Sequence, residues 1–414
     1  MKKVFLTGAV PFLSILILSS IWVGGVSALE LSQAWELKLT ADDLPPAADF
    51  GRSVAIDGNL VAVGAGGADA GPVTSAGAVY LFKRQGMAYF LEAKLIAPDA
   101  TPGAEFGRAV AIQGNRVIVG ARFAQVGTLS KAGAAYVFRE TRGSWYLEAK
   151  ITSPTPANED NFGRALAIHG DLLVVTARKE NIGADDVGAA YVFRHQGNGW
   201  IDEAKLTASD PTPGAYFGQS VAVRGDLIVV GARNADPNGA GAVYLFYRSG
   251  NQWLETAKLT PPDGKADDQF AFAITIAGNL IAVGARRADL PGAKDAGAAY
   301  LFAMTGNDAD LLTKITAGDA KAGDQFGQSI AMTGDVFAVG ANRADIGANK
   351  DQGAVYFFKR MGNEWVEEDK LTASDGMAGD EFGYSLSAFG NFMATGAHLA
   401  DSTQGAAYVI PLEP

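Results

Sequence analysis

The sequence predicts an all-β protein, a seven-bladed β-propeller of four-stranded antiparallel blades whose ring is closed by an N-terminal strand. Three observations carry that prediction. Phenylalanine recurs at positions 50, 106, 162, 217, 270, 326 and 382, at intervals of 56, 56, 55, 53, 56 and 56 residues, so one unit is repeated seven times. Within each unit, short apolar segments rich in Val, Ile, Tyr and Phe are separated by Gly-Asn or Gly-Asp pairs, the signature of hairpins. The last unit stops after three such segments, and the missing fourth stands at the other end of the chain, ahead of the first Phe-Gly.

The first strand of each unit opens Phe-Gly-x-Ser/Ala and ends in tight turns such as Asp57-Gly58-Asn59, Gly278-Asn279 and Gly334-Asp335. The second reads Val-Ala-Val-Gly-Ala or a close variant, as at Val61 to Ala65 and Ile281 to Ala285. A variable polar loop leads to the third, which starts Gly-Ala-Ala/Val-Tyr at Gly77, Gly133, Gly188, Gly241, Gly297, Gly353 and Gly405. These two strands are almost continuously apolar, as a sheet must be when both faces are covered, and radially stacked blades cover both. The fourth alternates charge with apolar residues, as in Leu91-Glu92-Ala93-Lys94-Leu95, which suits an outer edge. Residues 34–40, Ala-Trp-Glu-Leu-Lys-Leu-Thr, match this fourth strand and are expected to complete the last blade.

The propeller is therefore expected to occupy residues 29–414 as one domain. Ahead of it, Met1-Lys2-Lys3, a long apolar run and the small-x-small pattern Val26-Ser27-Ala28 read as a signal peptide over residues 1–28. Export to the periplasm, the cell surface or the medium follows as an expectation. No later segment is long enough to span a bilayer, so no membrane insertion of the mature chain is expected. The absence of Cys among 414 residues excludes thiolate metal sites and cysteine nucleophiles, and only His169, His195 and His398 remain as imidazoles. A net charge of −11 opposes nucleic acid as a partner, because displacing its counterions needs clustered Lys and Arg.

The Phe-Gly opening and the Val-Gly-Ala that ends the second strand, repeated in all seven units, resemble the FG-GAP repeat, the blade unit of the integrin alpha-subunit propeller and of many bacterial exported proteins. In calcium-binding members of that family the loop between the first two strands carries an Asp-rich cation site. Here the loop shrinks to tight turns too short to supply six or seven oxygens. The resemblance thus implies a calcium-free variant, and no metal or cofactor is assigned to any residue. The Pro of Gly-Ala-Pro is also replaced, mostly by Arg.

Arg224-Gly225-Asp226 spells an adhesion tripeptide but falls in the same turn as Gln113-Gly114-Asn115 and Thr333-Gly334-Asp335, so turn chemistry explains it. Ser53, Ser220, Ser329 and Ser385 recur after Phe-Gly-x and read as structural. The longer loops share one rim, where Asp69, Asp236, Asp289, Asp345 and Asp401 lie near Arg122, Arg178, Arg233, Arg286 and Arg343, read as a ring of mutually satisfied charges.

A functional site should break the symmetry. Just after Phe-Gly, three consecutive units carry Arg52, Arg108 and Arg164, and the next four carry Gln219, Phe272, Gln328 and Tyr384. Acidic residues gather before the later Phe-Gly pairs, at Asp263, Asp267, Asp268, Asp319, Asp324, Asp375, Asp380 and Glu381, suggesting a mouth basic on one side and acidic on the other. Arg52, Arg108, Arg164, Phe272 and Tyr384 are the candidate ligand-binding residues, and Phe123, Tyr216, Phe272 and Tyr384 read as exposed aromatics offering apolar contact, although core packing explains each of them equally well.

The expected function is that of an exported, non-catalytic binding or assembly module recognising a protein or glycan with its loop-rich rim. The alternative is a secreted carbohydrate-active hydrolase or lyase with a carboxylate pair drawn from Asp263 to Asp268 and Asp319 or Asp324. A third reading is calcium-dependent adhesion through the acidic rim loops.

Overall fold

The computed structural model describes residues 36–197, 199–236, 238–362 and 364–412, so the signal-peptide reading and Trp35 lie outside the described residues. Seven four-stranded sheets make up the fold. The chain begins with β1 (Leu37–Leu39) and then builds the first blade from β2 (Phe50–Asp57), β3 (Leu60–Ala65), β4 (Ala78–Gln85) and β5 (Ala88–Leu95). Five more blades repeat that order, and the last combines the strands Ser385–Phe389, Phe392–Ala397 and Ala406–Pro411 with β1.

The expected N-terminal closure is present. Within the seventh blade β1 runs antiparallel to Ala406–Pro411, with Leu37 opposite Val409 and Leu39 opposite Ala407. Lys38 reaches Asp375 at 2.6 Å and Asp401 at 2.8 Å, and Ser374 donates its amide to Glu36 at 2.8 Å.

Burial follows the strand order that the apolar patterning predicts. Every residue of β3 is buried, whereas β5 at the outer edge is half-buried or exposed up to its last residue, buried Leu95. Between blades, Phe50 is fully buried with its ring edge-on to Tyr80 at 5.5 Å and Phe82 at 6.2 Å, an arrangement that recurs in the first six blades. A buried phenol needs a polar partner. Tyr80 Oη donates to Asp43 at 2.9 Å, and Lys94 holds the other oxygen of the same carboxylate at 2.6 Å. The same trio occurs as Asp210, Tyr244 and Lys258, and as Asp319, Tyr356 and Lys370.

Adjacent blades are stitched at both rims. On the loop-rich rim Phe106 donates its amide to Ala76 O at 2.9 Å and Ser53 Oγ donates to Gly107 O at 2.8 Å. The seam has the same bonds, Phe50 N to Gln404 O at 3.0 Å and Ser385 Oγ to Gly51 O at 2.8 Å. The recurrent serines are structural, as expected. In the third blade, where Ala165 stands in the serine's place, Thr176 Oγ1 makes the bond instead, donating to Gly218 O at 2.7 Å.

On the opposite rim, turn residues bind the next blade's turn. Gly114 N donates to Asp57 at 2.6 Å, Thr333 Oγ1 donates to Gly390 O at 2.9 Å, and Arg224 donates to Gly278 O. The Arg-Gly-Asp turn is one of these stitches.

One irregularity in the first strand positions the site. Phe50 pairs with Ala65 but Ser53 pairs with Gly64, so Gly51 and Arg52 form a bulge, and the same register shift follows Phe106, Phe217, Phe270 and Phe326. Bulges re-aim side chains. Here the re-aimed side chain belongs to the residue after Phe-Gly, which is turned to the mouth of the central channel.

Candidate functional site

Three rings of side chains surround the channel mouth on the loop-rich rim. The residue before each Phe supplies the first: Asp49, Glu105, Asn161, Tyr216, Gln269, Gln325 and Glu381, every one at a φ between 55° and 58°. None is glycine, so the strain of this left-handed backbone is imposed by the interlocked blades around it. The bulge residues Arg52, Arg108, Arg164, Gln219, Phe272, Gln328 and Tyr384 supply the second and enclose a cavity of about 250 Å³. The residue after each Val-Gly-Ala type segment supplies the third, with Arg122, Arg178, Arg233, Arg286, Asn342 and His398 around it.

All five candidate residues thus meet in one ring, yet their surroundings differ from expectation in two respects. The mouth is not acidic on the side opposite the arginines. Asp263 accepts from Tyr300 at 2.8 Å and from Lys314, while Asp319 and Asp375 hold the corresponding Tyr and Lys. Asp268, Asp324 and Asp380 are buried and cap the backbone amides of Lys265, Lys321 and Met377. Asp267 stands exposed on the rim, and of the expected acidic set only Glu381 belongs to the mouth. The carboxylates considered for a catalytic pair at 263, 268, 319 and 324 are therefore committed to these structural bonds.

The aromatic residues are also half-buried rather than exposed, each beneath a guanidinium. Arg286 lies 3.8 Å from the Phe272 ring centroid and Arg122 lies 4.3 Å from that of Phe123. Arg178 and Arg233 cover Tyr216, and Arg52 lies 5.4 Å from the Tyr384 centroid. Cation–π contact thus occupies one face of each ring, in line with the packing alternative.

Nor do the rim aspartates and arginines satisfy one another. Asp69, Asp289 and Asp345 accept from backbone amides within their own loops, at 2.9, 2.9 and 3.0 Å. The arginines turn inward. Arg122 is bidentate to Glu105 at 2.7 and 3.0 Å, and Arg52 reaches Asp49 at 3.1 Å. Arg178 finds the neutral Gln219 at 3.1 Å, and Arg286 finds the neutral Gln269 and Gln328 at 2.7 and 2.9 Å.

Sequence reading overlooked the cluster around His398. Its Nε2 lies 3.1 Å from Glu381 and its Nδ1 3.4 Å from Asp49, and its ring packs on Tyr384 at 4.0 Å. The separation of 17 residues between Glu381 and His398 equals that between Glu105 and Arg122 and between Gln269 and Arg286. That recurring interval was the available signal.

Charge crowding sets the titration of the mouth. Burial alone would raise the Tyr384 phenol, but Arg108, Arg52, His398 and Arg164 bring it down to about 8. For His398, burial lowers the imidazole, but bonds to Asp49 and Glu381 outweigh it and the net shift is upward from 6.5. A raised folded value means that the stability from protonated His398 is complete below about 6.5 and is lost as pH rises through the folded value. His398→Gln should flatten that decline in a melting-temperature series against pH, and an unchanged slope would contradict this role. Tyr384 acts in the opposite sense and only above about 8, since its ionised form is the one favoured on folding.

Among the described residues, no group of three or more His, Asp or Glu converges as a cation site. The turn joining β2 to β3 consists of Gly58 and Asn59 alone, with Asp57 paired to Leu60.

Seven segments, residues 35–82, 89–138, 145–193, 200–246, 253–302, 311–358 and 365–410, match the FG-GAP repeat. The chain belongs to the FG-GAP repeat family. Each FG-GAP segment starts in or near a fourth strand and ends in a third strand of the next blade, so the repeat unit straddles two blades. No curated protein matches this FG-GAP chain. Among solved structures, it is similar to a candidate 6-phosphogluconolactonase from Bacteroides uniformis, at 11% identity and a TM-score of 0.51, covering 79% of this chain and 87% of that one. At that identity the likeness is one of fold alone.

Proposed function

We propose that this FG-GAP propeller is an exported, non-catalytic recognition module that grips a protein or glycan partner with the loop-rich rim around its channel mouth. The observation that carries the reading is the break in symmetry at that mouth. Phe50, Tyr80 and Asp43 have counterparts in blade after blade, whereas the bulge position changes from Arg in three consecutive blades to Gln, Phe, Gln and Tyr in the rest. A fold held by repetition has no structural need for that change, and a ligand with one charged side does. Of the carboxylates that the enzyme alternative drew on, Asp263, Asp268, Asp319 and Asp324 are engaged in structural bonds and Asp267 stands out on the rim, so binding is the reading the mouth supports better.

The test is a binding screen of residues 29–414 against arrays of cell-surface proteins and glycans, repeated with Arg52→Gln, Arg108→Gln and Arg164→Gln combined. The triple variant should bind its partner at least about tenfold more weakly and with less salt sensitivity, since the pull that the mouth's charge exerts through solvent on an approaching partner is screened over about 8–10 Å at physiological salt. Arg142→Gln combined with Arg360→Gln, at an exposed turn and an exposed strand end of the opposite rim, should bind as the wild type does. Lys83 and Arg84 are unsuitable controls, because Lys83 pairs with Glu92 at 3.1 Å and Arg84 stacks on Phe392 at 4.4 Å. Equal affinity and salt slope in both variants would remove the mouth from recognition.

A further inference from the structure

The mouth holds more guanidinium charge than its own carboxylates neutralise. Glu105 has both oxygens taken by Arg122, which leaves Arg108 at 3.7 Å from that carboxylate as an unbonded neighbour. Asp49 serves Arg52 and His398, and Glu381 serves Asn342, Arg343 and His398. Arg164 has no hydrogen bond or ion pair among the described residues, and its Nε is buried without a partner. The Nε atoms of Arg52, Arg108, Arg178 and Arg233 are unpartnered as well.

Burial together with the neighbouring guanidiniums pushes Arg108 and Arg178 down to about 10, and Arg164 also falls well below its ordinary value. Arginine does not give up its proton in proteins, so crowding of this kind calls for an anion. A resident carboxylate is not available, and the cavity of about 250 Å³ that Arg52, Arg108 and Arg164 help to line is large enough for one small group.

We propose that the channel mouth binds a tetrahedral oxyanion, a sulfate or phosphate group, through Arg108 and Arg164 with Arg52 and Arg178 around it. The inference rests on the mouth being the recognition surface and specifies the group recognised there. Direction favours a tetrahedral group over a planar one. Arg52, Arg108 and Arg164 approach from three consecutive blades and Arg178 from a different ring. A carboxylate accepts near its own plane, whereas sulfate and phosphate accept from all sides and carry up to two charges.

The test uses residues 29–414 and the free ions as probes. Melting temperature is followed against sodium sulfate and sodium phosphate, with sodium acetate and sodium chloride at matched ionic strength, and affinity is measured by calorimetric titration. Sulfate, phosphate or both should give a saturable rise that acetate and chloride do not, and the tighter of the two identifies the source of the group.

Arg164→Gln should weaken that binding about tenfold or more, the scale of one lost charge-assisted hydrogen bond. The same variant, freed of an unpaired buried charge, should melt higher than the wild type when no oxyanion is present. Sulfate also stabilises proteins by exclusion from their surface, so an equal rise in wild type and Arg164→Gln would overturn the proposal. So would a response to acetate or chloride as large as that to the tighter-binding oxyanion. If partner binding falls in the triple variant while neither oxyanion binds, the recognition reading stands and the oxyanion assignment fails. If an oxyanion binds but partner affinity ignores the triple substitution, the reverse holds.

Discussion

Deleting residues 29–41 should lower the melting temperature by about 5 °C or more and bring on aggregation that worsens with concentration. The deletion removes β1, and with it buried Leu39, three paired residues and the Lys38 ammonium shared by Asp375 and Asp401. Loss of the Leu39 burial alone is worth about 1.5–3 kcal/mol. Asp375, which also accepts from Tyr408 at 2.9 Å, would be left without its cation. The larger effect is the uncovered strand Ala406–Pro411. Five of its six residues are buried, and without β1 it presents an apolar, unpaired edge to other molecules. Supplying the 34–41 segment as a free peptide should partly reverse both effects. Unchanged melting and a monodisperse truncated protein would show that the ring does not depend on this strand.

Gly107→Ala should destabilise the fold by about 3 kcal/mol or more, against about 1 kcal/mol for Gly103→Ala. Both glycines have positive φ, 92° and 71°, so both substitutions carry backbone strain. Only Gly107 is also hemmed in. A Cβ there would lie 2.6 Å from Ala78 O in the neighbouring blade, whereas at Gly103 nothing stands within 4 Å. Relief requires the blades to move apart, and the bulge that aims Arg108 would move with them. Chemical denaturation of the two variants separates close approach from strain. Equal losses would mean that the packed blades yield more readily than the geometry indicates.

The repeat frame, the four strands per blade and the closing strand were legible because each is a covalent periodicity. A Phe every 53–56 residues and a fourth strand displaced to the N-terminus need no three-dimensional information. The bulge position was legible for the same reason, and Arg52, Arg108, Arg164, Phe272 and Tyr384 do share one ring. What escaped was pairing across the loops. Asp263 looked like a mouth carboxylate because it precedes Phe270, but its partners Tyr300 and Lys314 lie 37 and 51 residues away. The same two intervals separate Asp319 from Tyr356 and Lys370, so the trio was present in the sequence as a spacing. The stacking of Arg286 on Phe272 and Arg52 on Tyr384 had no such signature, since the burial of a rim aromatic depends on how far the adjacent side chains lean over it.

The pairing of β1 also fixes how the ring responds to tension. Leu37 lies opposite Val409 and Leu39 opposite Ala407, so the chain enters β1 and leaves Ala406–Pro411 at the same rim, the one away from the mouth. A pull that separates these two points loads the rungs one after another and peels them like a zipper, instead of shearing them together. The other six blades are each a continuous run of chain and take no such peeling load. If this propeller is anchored by one end and drawn by the other, the seventh blade yields first, and the strand it uncovers is the one that β1 had kept from other molecules.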